Sequence, residues 1–217
     1  MAVRENFTHQ LQVVKEQLLD MGARVSEVLH ESHRAFQEAD IETMDRIIKD
    51  DHLINELEHK LNDSVTLLIT KQQPVATDLR KLIVTLKVSS DLERVADLAV
   101  DMAKAARRLD AQMLTDIREK MMKMFQLAEQ MIEESLKAYA QSDVILAQRV
   151  ASIDDHVDRM YGEIIRELFE LNSNEVEVNQ ITQFAFIGRY IERMADYATN
   201  ITEWVIYEMN GKHFDLN

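Results

Sequence analysis

An internal repeat constrains the fold of this chain more than any other feature of its sequence. Residues 93–99 read ERVADLA, and residues 192–198 read ERMADYA, 99 positions later. A second pair of segments, DDH at 50–52 and DDH at 154–156, recurs in the same order at an offset of 104. Such self-similarity predicts the tandem duplication of one structural unit. The difference between the two offsets indicates a shorter loop in the second copy.

The residues around these marks predict helices along the whole chain. Only 4 glycines and 1 proline occur among 217 residues, against average contents of about 7% and about 5%. Pro74 must end a helix, and Thr77 or Asp78 can cap the next one. Asp40 and Asp143 each stand directly before an apolar periodic stretch. The two aspartates are therefore predicted N-caps.

Breaks in the apolar periodicity place the helix boundaries. They predict six helices, at about 5–38, 41–71, 78–109, 112–141, 143–171 and 176–209. Three helices fall in each copy of the repeat, and short connections make successive helices antiparallel. The predicted fold is therefore all-α, a tandem repeat of two antiparallel three-helix bundles that span 1–110 and 111–217 and join near Asp110.

The third helix of each bundle carries two parallel stripes of side chains. The apolar stripe follows alternating spacings of three and four residues, which is typical of a core-facing surface: Val88, Leu92, Val95, Ala99, Met102 and Ala106, matched by Ile187, Ile191, Met194, Ala198, Ile201 and Val205. The next stripe lies about 100° around the helix and is polar: Glu93, Asp97 and Asp101, matched by Glu192, Asp196 and Asn200. The polar stripes should therefore flank the core and face a groove beside a neighbouring helix.

These polar stripes predict metal binding. Carboxylates at i and i+4 lie on the same face of a helix, and paired carboxylates suit a hard cation. Three such positions span about 12 Å, a length that suits two or three bridged ions. The second helix of each bundle offers further ligands to the same groove: Asp51, His52, Asp154, Asp155 and Asp158.

The alternative interpretation of these acids is a solvated face, since 39 of 217 residues are acidic. Duplication argues against it, because a solvated face need not keep Glu, Arg, Ala and Asp at matching positions in two diverged copies. Stacked carboxylates also repel by a few tenths of a kcal/mol, and a bound cation would reverse this cost. Metal binding is therefore favoured for Glu93, Asp97, Glu192 and Asp196. Arg94 and Arg193 are interpreted as salt-bridge or interface residues, and Trp204 as a packing residue.

Charge and composition exclude several classes of function. The net charge of −14 disfavours nucleic acid and anionic membrane surfaces, which are bound by clustered Lys and Arg. The absence of cysteine excludes thiolate metal sites. No stretch approaches the roughly 20 apolar residues of a membrane span, and we expect a soluble, cytoplasmic protein. No phosphate loop, nucleophile elbow or Ser-His-Asp spacing is present, so we expect no enzymatic activity.

A second constellation supports a lower-ranked alternative. Glu27 and His30, and Glu56 and His59, form two Glu-x-x-His motifs on helices that should be adjacent. This pattern is similar to that of di-iron carboxylate bundles, which act as oxidases or store iron. Neither motif returns in the second half, and the di-iron arrangement needs a four-helix core where the sequence predicts bundles of three. The duplicated acids therefore rank above it.

Several segments together resemble one family, the PhoU regulators of bacterial phosphate uptake. The segments are Asp51-His52, the loop KQQPVATDLR at 71–80, DLERVAD at 91–97, and RYIERMAD at 189–196 running on to Asn200-Ile201. The resemblance runs nearly from end to end. Family members often carry Gly and Asp-His where this chain has Ala96-Asp97-Leu98 and Ala195-Asp196-Tyr197.

The resemblance implies two three-helix bundles with multinuclear metal clusters of iron or zinc on Glu(Asp)-x-x-x-Asp motifs. These motifs fall on Glu93, Asp97 and Asp101, and on Glu192, Asp196 and Asn200. The missing histidines favour oxygen-preferring ions such as magnesium, calcium or manganese. The resemblance also implies a homodimeric negative regulator of the phosphate regulon that contacts the transporter ATPase and a sensor histidine kinase.

Overall fold

The computed structural model describes residues 2–171, 176–214 and 216, and it confirms the all-α class. Seven helical segments follow one another: α1 Ala2–Glu38, α2 Ile41–Asp50, α3 His52–Gln72, α4 Ala76–Ala106, α5 Thr115–Gln141, α6 Val144–Glu170 and α7 Val178–Asn210. The described part of the chain contains no strand. Within it, no helix combines the length and apolar character that a membrane crossing requires.

The second predicted helix, at about 41–71, is interrupted by one turn residue, Asp51. Its backbone angles remain helical, with φ −46° and ψ −44°. The Ile54 N–H bonds to the Asp51 carbonyl three residues back, at 3.3 Å, as in a 3₁₀ turn. The segments α2 and α3 therefore form one helix with a local tightening, and the six predicted helices are present. Helix α4 begins at Ala76 without a side-chain cap, so the predicted caps at Thr77 and Asp78 are wrong.

The two bundles share one hydrophobic core rather than sitting side by side. Helix α4 packs antiparallel to α7, with Arg80 beside Glu208 at one end and Asp110 beside Gln180 at the other. Helices α1 and α5 also run antiparallel, since Lys15 donates to the Ala140 carbonyl near one end of the pair and Arg118 donates to the Phe36 carbonyl near the other. Helices α1, α4, α5 and α7 thus form the centre of the molecule. The joined α2 and α3 cover one side, and α6 covers the other.

The apolar stripes of the third helices are confirmed as the core. All twelve predicted positions on α4 and α7 are at most 5% exposed. The loop between the bundles accepts a hydrogen bond from Arg118 of α5 at the Asp110 carbonyl, at 3.3 Å, and it is also anchored to this core by the side chain of Gln180. Its amide oxygen accepts from the Asp110 N–H at 2.9 Å, and its amide nitrogen donates to the Arg108 carbonyl at 3.0 Å.

The buried residues correct the register of the repeat in the second helix. Met44, Ile47, Ile54 and Leu61 face the core in the first bundle, and Ala147, Val150, Val157 and Ile164 do so in the second. These pairs differ by 103 positions, as do the N-caps Asp40 and Asp143. Asp51 is therefore equivalent to Asp154, and the offset of 104 that pairs it with Asp155 is wrong.

The third helices keep the predicted offset of 99. The predicted shorter loop in the second copy is wrong, because residues 73–75 separate α3 from α4 whereas residues 171–177 separate α6 from α7. The change of offset arises instead because α6 ends earlier than α3 does in the first bundle.

Both predicted N-caps are confirmed, and one of them gives a direct test of the helix start. The Asp143 carboxylate accepts from the backbone N–H groups of Ile145 and Leu146, each at 3.0 Å. Asp143→Ala should cost about 1 kcal/mol and lower the melting temperature by about 2–4 °C. Asp155→Ala, on the exposed face of the same helix, is the matched control. Equal melting temperatures for both variants and the parent protein would contradict the capping role.

Candidate metal centre

A compact group of carboxylates joins α6 to α7 in the second bundle. Asp158 of α6 and Glu192 and Asp196 of α7 each place one oxygen within 4.8 Å of the others. Asp154 precedes Asp158 by one helical turn and contributes to the same electrostatic environment. We refer to Asp154, Asp158, Glu192 and Asp196 as the second acidic cluster. Two pairs at i and i+4 on adjacent helices therefore face each other across one groove.

Two members of this cluster are buried with oxygens that lack a hydrogen-bond partner. Asp154 is 5% exposed and Glu192 is 8% exposed. Among the described residues, nothing bonds to Asp154 Oδ1 or to Glu192 Oε2, while Glu192 Oε1 accepts from the exposed Arg189 guanidinium. A buried carboxylate oxygen without a partner costs free energy. A cation in the groove would supply the missing partner to both residues.

Burial and mutual repulsion raise the pKa of three acids in the cluster. Burial, followed by the nearby Asp196 charge, raises the pKa of Glu192 to about 7 against the opposing effect of Arg189. Burial, and then Asp196 and Asp158, raise the pKa of Asp154 to about 6 against the opposing effect of the nearby buried Thr199 hydroxyl. Burial raises the pKa of Asp196, and Asp158 adds to this while Arg189 opposes it. The ionised cluster is thus unfavourable in the metal-free protein near neutral pH.

The donor set fits a hard divalent cation. Every donor is a carboxylate oxygen, and no histidine nitrogen belongs to the group of ligand-distance atoms in the described chain. Carboxylates, carbonyls and water are the ligands that magnesium, calcium and manganese prefer. Asp154, Asp158, Glu192 and Asp196 would hold such an ion, and the exposed side of Asp158 leaves room for water in its coordination shell.

The equivalent acids of the first bundle form a looser group. We refer to Asp51, Glu93, Asp97 and Asp101 as the first acidic cluster. Burial, and then the Asp97 charge, raise the pKa of both Asp51 and Glu93. Among the described residues, no three of these carboxylates meet within the 4.8 Å that unites their counterparts in the second bundle.

Internal cations neutralise part of the first acidic cluster. Arg94 lies 3.0 Å from Asp97 and 3.4 Å from Glu93, and Lys104 lies 2.9 Å from Asp101. Arg193, the counterpart of Arg94, instead donates to the Tyr197 hydroxyl at 3.3 Å. Salt bridging is therefore confirmed for Arg94, whereas Arg193 forms no salt bridge with another described residue. The second bundle, not the first, has the more compact and less neutralised site.

The remaining predicted ligands lie outside both clusters. Asn200 lines a separate cleft beside Trp204. His52 is exposed, and its Nδ1 lies 3.1 Å from the Lys49 carbonyl. Asp155 is exposed on the outer face of α6, as its corrected register requires. The ion pair of Arg189 with Glu192 was not predicted from the sequence, although a separation of three residues is a usual spacing for a helical ion pair.

The residues of the di-iron alternative do not meet. Glu27 pairs with Arg24 at 2.6 Å. His30 faces α5, where its ring nitrogens lie 2.9 Å from Glu129 and from Glu133. On α3, Glu56 pairs with Lys60 at 3.7 Å, and His59 lies 3.9 Å from Glu58. Glu27, His30, Glu56 and His59 are absent from the one group of ligand-distance side chains found among the described residues, and their two motifs contact different neighbours.

Comparison with known proteins identifies close similarities over almost the whole chain. Residues 18–106 and 121–205 match the family model described as the PhoU domain. The chain is 38% identical over 216 residues to the phosphate-specific transport system accessory protein PhoU homolog of Clostridium acetobutylicum, which covers 99% of each chain. The fold is similar to that of the phosphate transport system regulatory protein PhoU from Streptococcus pneumoniae, with a TM-score of 0.90 and 28% identity over 96% of this chain and 99% of that one. PhoU from Pseudomonas aeruginosa matches with a TM-score of 0.86 and 30% identity over 95% and 100% of the two chains.

The matched stretches coincide with the structural repeat. Their starting residues, 18 and 121, differ by 103, and their final residues, 106 and 205, differ by 99. The buried positions of the second helix of each bundle give the first offset independently, and those of the third helix give the second. The duplicated domain, the sequence identity and the fold agree, and the chain therefore belongs to the PhoU family.

Proposed function

We propose that this protein is a metal-binding accessory subunit of phosphate-specific transport that lowers phosphate uptake and represses the phosphate regulon. The observation that carries the metal-binding part is the second acidic cluster, where Asp154 and Glu192 bury oxygens without partners. Family membership supports the regulatory part, since relatives are described as phosphate-specific transport system accessory proteins. No reaction is assigned to it, and it acts through protein contacts.

The metal ion would fix the position of one helix against another. Asp154 and Asp158 come from α6, and Glu192 and Asp196 come from α7. An ion between them would remove their mutual repulsion and tie these two helices together. We propose manganese or magnesium for this oxygen-only site, with iron or zinc implied by resemblance to the family. A second, weaker metal site is proposed at Glu93, Asp97 and Asp101 in the first repeat. The two domains are proposed to span residues 1–110 and 111–217.

The partners proposed for this chain are the transporter ATPase and the sensor histidine kinase. Both contacts are implied by resemblance, and a cytoplasmic homodimer would present the chain to them. The net charge of −14 favours association with basic protein surfaces. Such association should weaken as salt rises, because attraction between exposed charges more than about 8 Å apart is largely screened at physiological ionic strength.

A direct binding measurement tests this proposal. The purified protein is titrated against the transporter ATPase and against the cytoplasmic part of the sensor kinase, with Mn²⁺ present or with chelator. We expect saturable binding to at least one partner, and weaker binding after Glu192→Gln with Asp196→Asn. The matched control is Glu93→Gln with Asp97→Asn. Absence of binding to both partners in every metal state would overturn the regulatory role while leaving metal binding intact.

A further inference from the structure

A cleft of about 700 Å³ opens between α3, α4 and α7, at the boundary between the two repeats. Three carboxylates line it, from Glu58, Asp91 and Glu203, together with Lys87 and the indole of Trp204. This volume lies within the range of about 300–1,000 Å³ that is usual for small-molecule sites. The cleft is separate from the second acidic cluster, whose members are absent from its lining.

The repeat provides an internal comparison for this cleft. By the corrected register, the second-bundle counterparts of Glu58, Lys87 and Asp91 are Tyr161, Phe186 and Tyr190. Phe186 and Tyr190 stack with their ring centroids 6.3 Å apart. Tyr161 packs against α7, where its ring would lie 3.4 Å from a Cβ at position 188. Aromatic rings therefore occupy these three positions in the second bundle, whereas Glu58, Lys87 and Asp91 line an open cleft in the first.

The side chains in the open cleft are held in place by specific contacts. Asp91 Oδ2 accepts the indole N–H of Trp204 at 3.1 Å. No described residue donates a hydrogen bond to Asp91 Oδ1. Glu203 Oε1 accepts the Leu216 N–H at 2.8 Å. The Lys87 ammonium lies 5.8 Å from the centroid of the Trp204 ring. With all four groups ionised, three carboxylates face one lysine, so the cleft carries a net negative charge.

We propose that this cleft binds a guanidinium group. A planar cation can lie against the face of Trp204, as Lys87 does from within the chain. It can also donate paired hydrogen bonds to carboxylates such as Asp91 and Glu203, which suit its fork of N–H groups. A bare metal ion would use the carboxylates but not the indole. The site goes beyond the proposed regulatory function and does not depend on the metal centre.

The single tryptophan of the chain makes this site directly observable. Chelator-treated protein is titrated with agmatine as a free guanidinium and with an acetyl-Gly-Arg-Gly-amide peptide, while Trp204 emission and calorimetric heat are recorded. Saturable binding of either probe supports the site. Tighter binding of agmatine indicates a small-molecule ligand, and tighter binding of the peptide indicates an arginine side chain of a partner protein.

Variants with intact Trp204 then locate the binding. Asp91→Asn and Glu203→Gln should each weaken binding about tenfold, whereas Lys87→Met should strengthen it by removing the competing cation. Glu163→Gln, on an exposed part of α6, is the control, and thermal melting confirms that each variant folds. The inference is overturned if emission changes without saturation, if Mn²⁺ or sodium chloride gives the same response, or if both carboxylate variants bind like the parent protein.

Discussion

Chelator-treated protein is expected to melt at a higher temperature at pH 5.5 than at pH 8. The pKa of Glu192 is about 7 in the folded protein, against 4.5 for an ordinary glutamate. Between these values the folded state binds more protons than the unfolded state, so stability falls as pH rises through this window. Asp154, whose pKa is raised to about 6, contributes with the same sign.

The size of this effect follows from the burial of Glu192. At 8% exposure, its shift corresponds to about 2 kcal/mol between pH 8 and pH 5.5, or a rise in melting temperature of about 4–8 °C. Calorimetry at both pH values measures it, and Glu192→Gln is the variant in which the gain should shrink. Asp91 is also expected to contribute, because burial raises its pKa to about 6. A melting temperature that is equal or lower at pH 5.5 would contradict the assigned environment of the cluster.

The double variant Glu192→Gln with Asp196→Asn is expected to separate stability from metal binding. Without metal at pH 8, it should melt above the parent protein, because it removes two crowded charges whose ionisation burial disfavours. With Mn²⁺ at 100 times its dissociation constant, the parent protein should gain about 2.7 kcal/mol, and the variant should lose most of this gain. Thermal melting with and without Mn²⁺ measures both effects.

Two matched variants sharpen this test. Glu93→Gln with Asp97→Asn makes the same chemical change on the equivalent face of α4, where Arg94 already pairs with both acids. It should retain most of the Mn²⁺ response. Asp155→Asn changes the residue next to Asp154 on the exposed face of α6 and should also retain it. If Glu93→Gln with Asp97→Asn loses the Mn²⁺ response while Glu192→Gln with Asp196→Asn keeps it, the first bundle holds the stronger site and the assignment of the stronger site to the second bundle is wrong.

Much of the fold could be predicted because it depends on local signals. The spacing of apolar residues on α4 and α7 predicts their buried faces, and Asp40 and Asp143 predict two helix starts through their capping side chains. The shared centre of α1, α4, α5 and α7 could not be predicted in this way. Periodicity indicates which face of a helix is apolar but does not identify the helix that covers it.

The candidate site was predicted only in part, for a related reason. Glu192 and Asp196 follow from the helical spacing of the repeat, whereas the choice between Asp154 and Asp155 depends on the register of α6. The matching DDH segments favour the offset of 104, which pairs Asp51 with Asp155. The buried core residues require the offset of 103, which pairs Asp51 with Asp154, because burial determines which side chains face inward. The pairing of Arg94 with Glu93 and Asp97 also depends on rotamers that sequence spacing does not specify.

The most direct test of the central claim is the manganese content of the protein after equilibrium dialysis, measured by elemental analysis. The parent protein and the Glu93→Gln, Asp97→Asn variant are predicted to retain manganese bound in the second bundle. The Glu192→Gln, Asp196→Asn variant is predicted to lose it. Retention of the full manganese content by that last variant would contradict the assignment of the second acidic cluster as the metal centre.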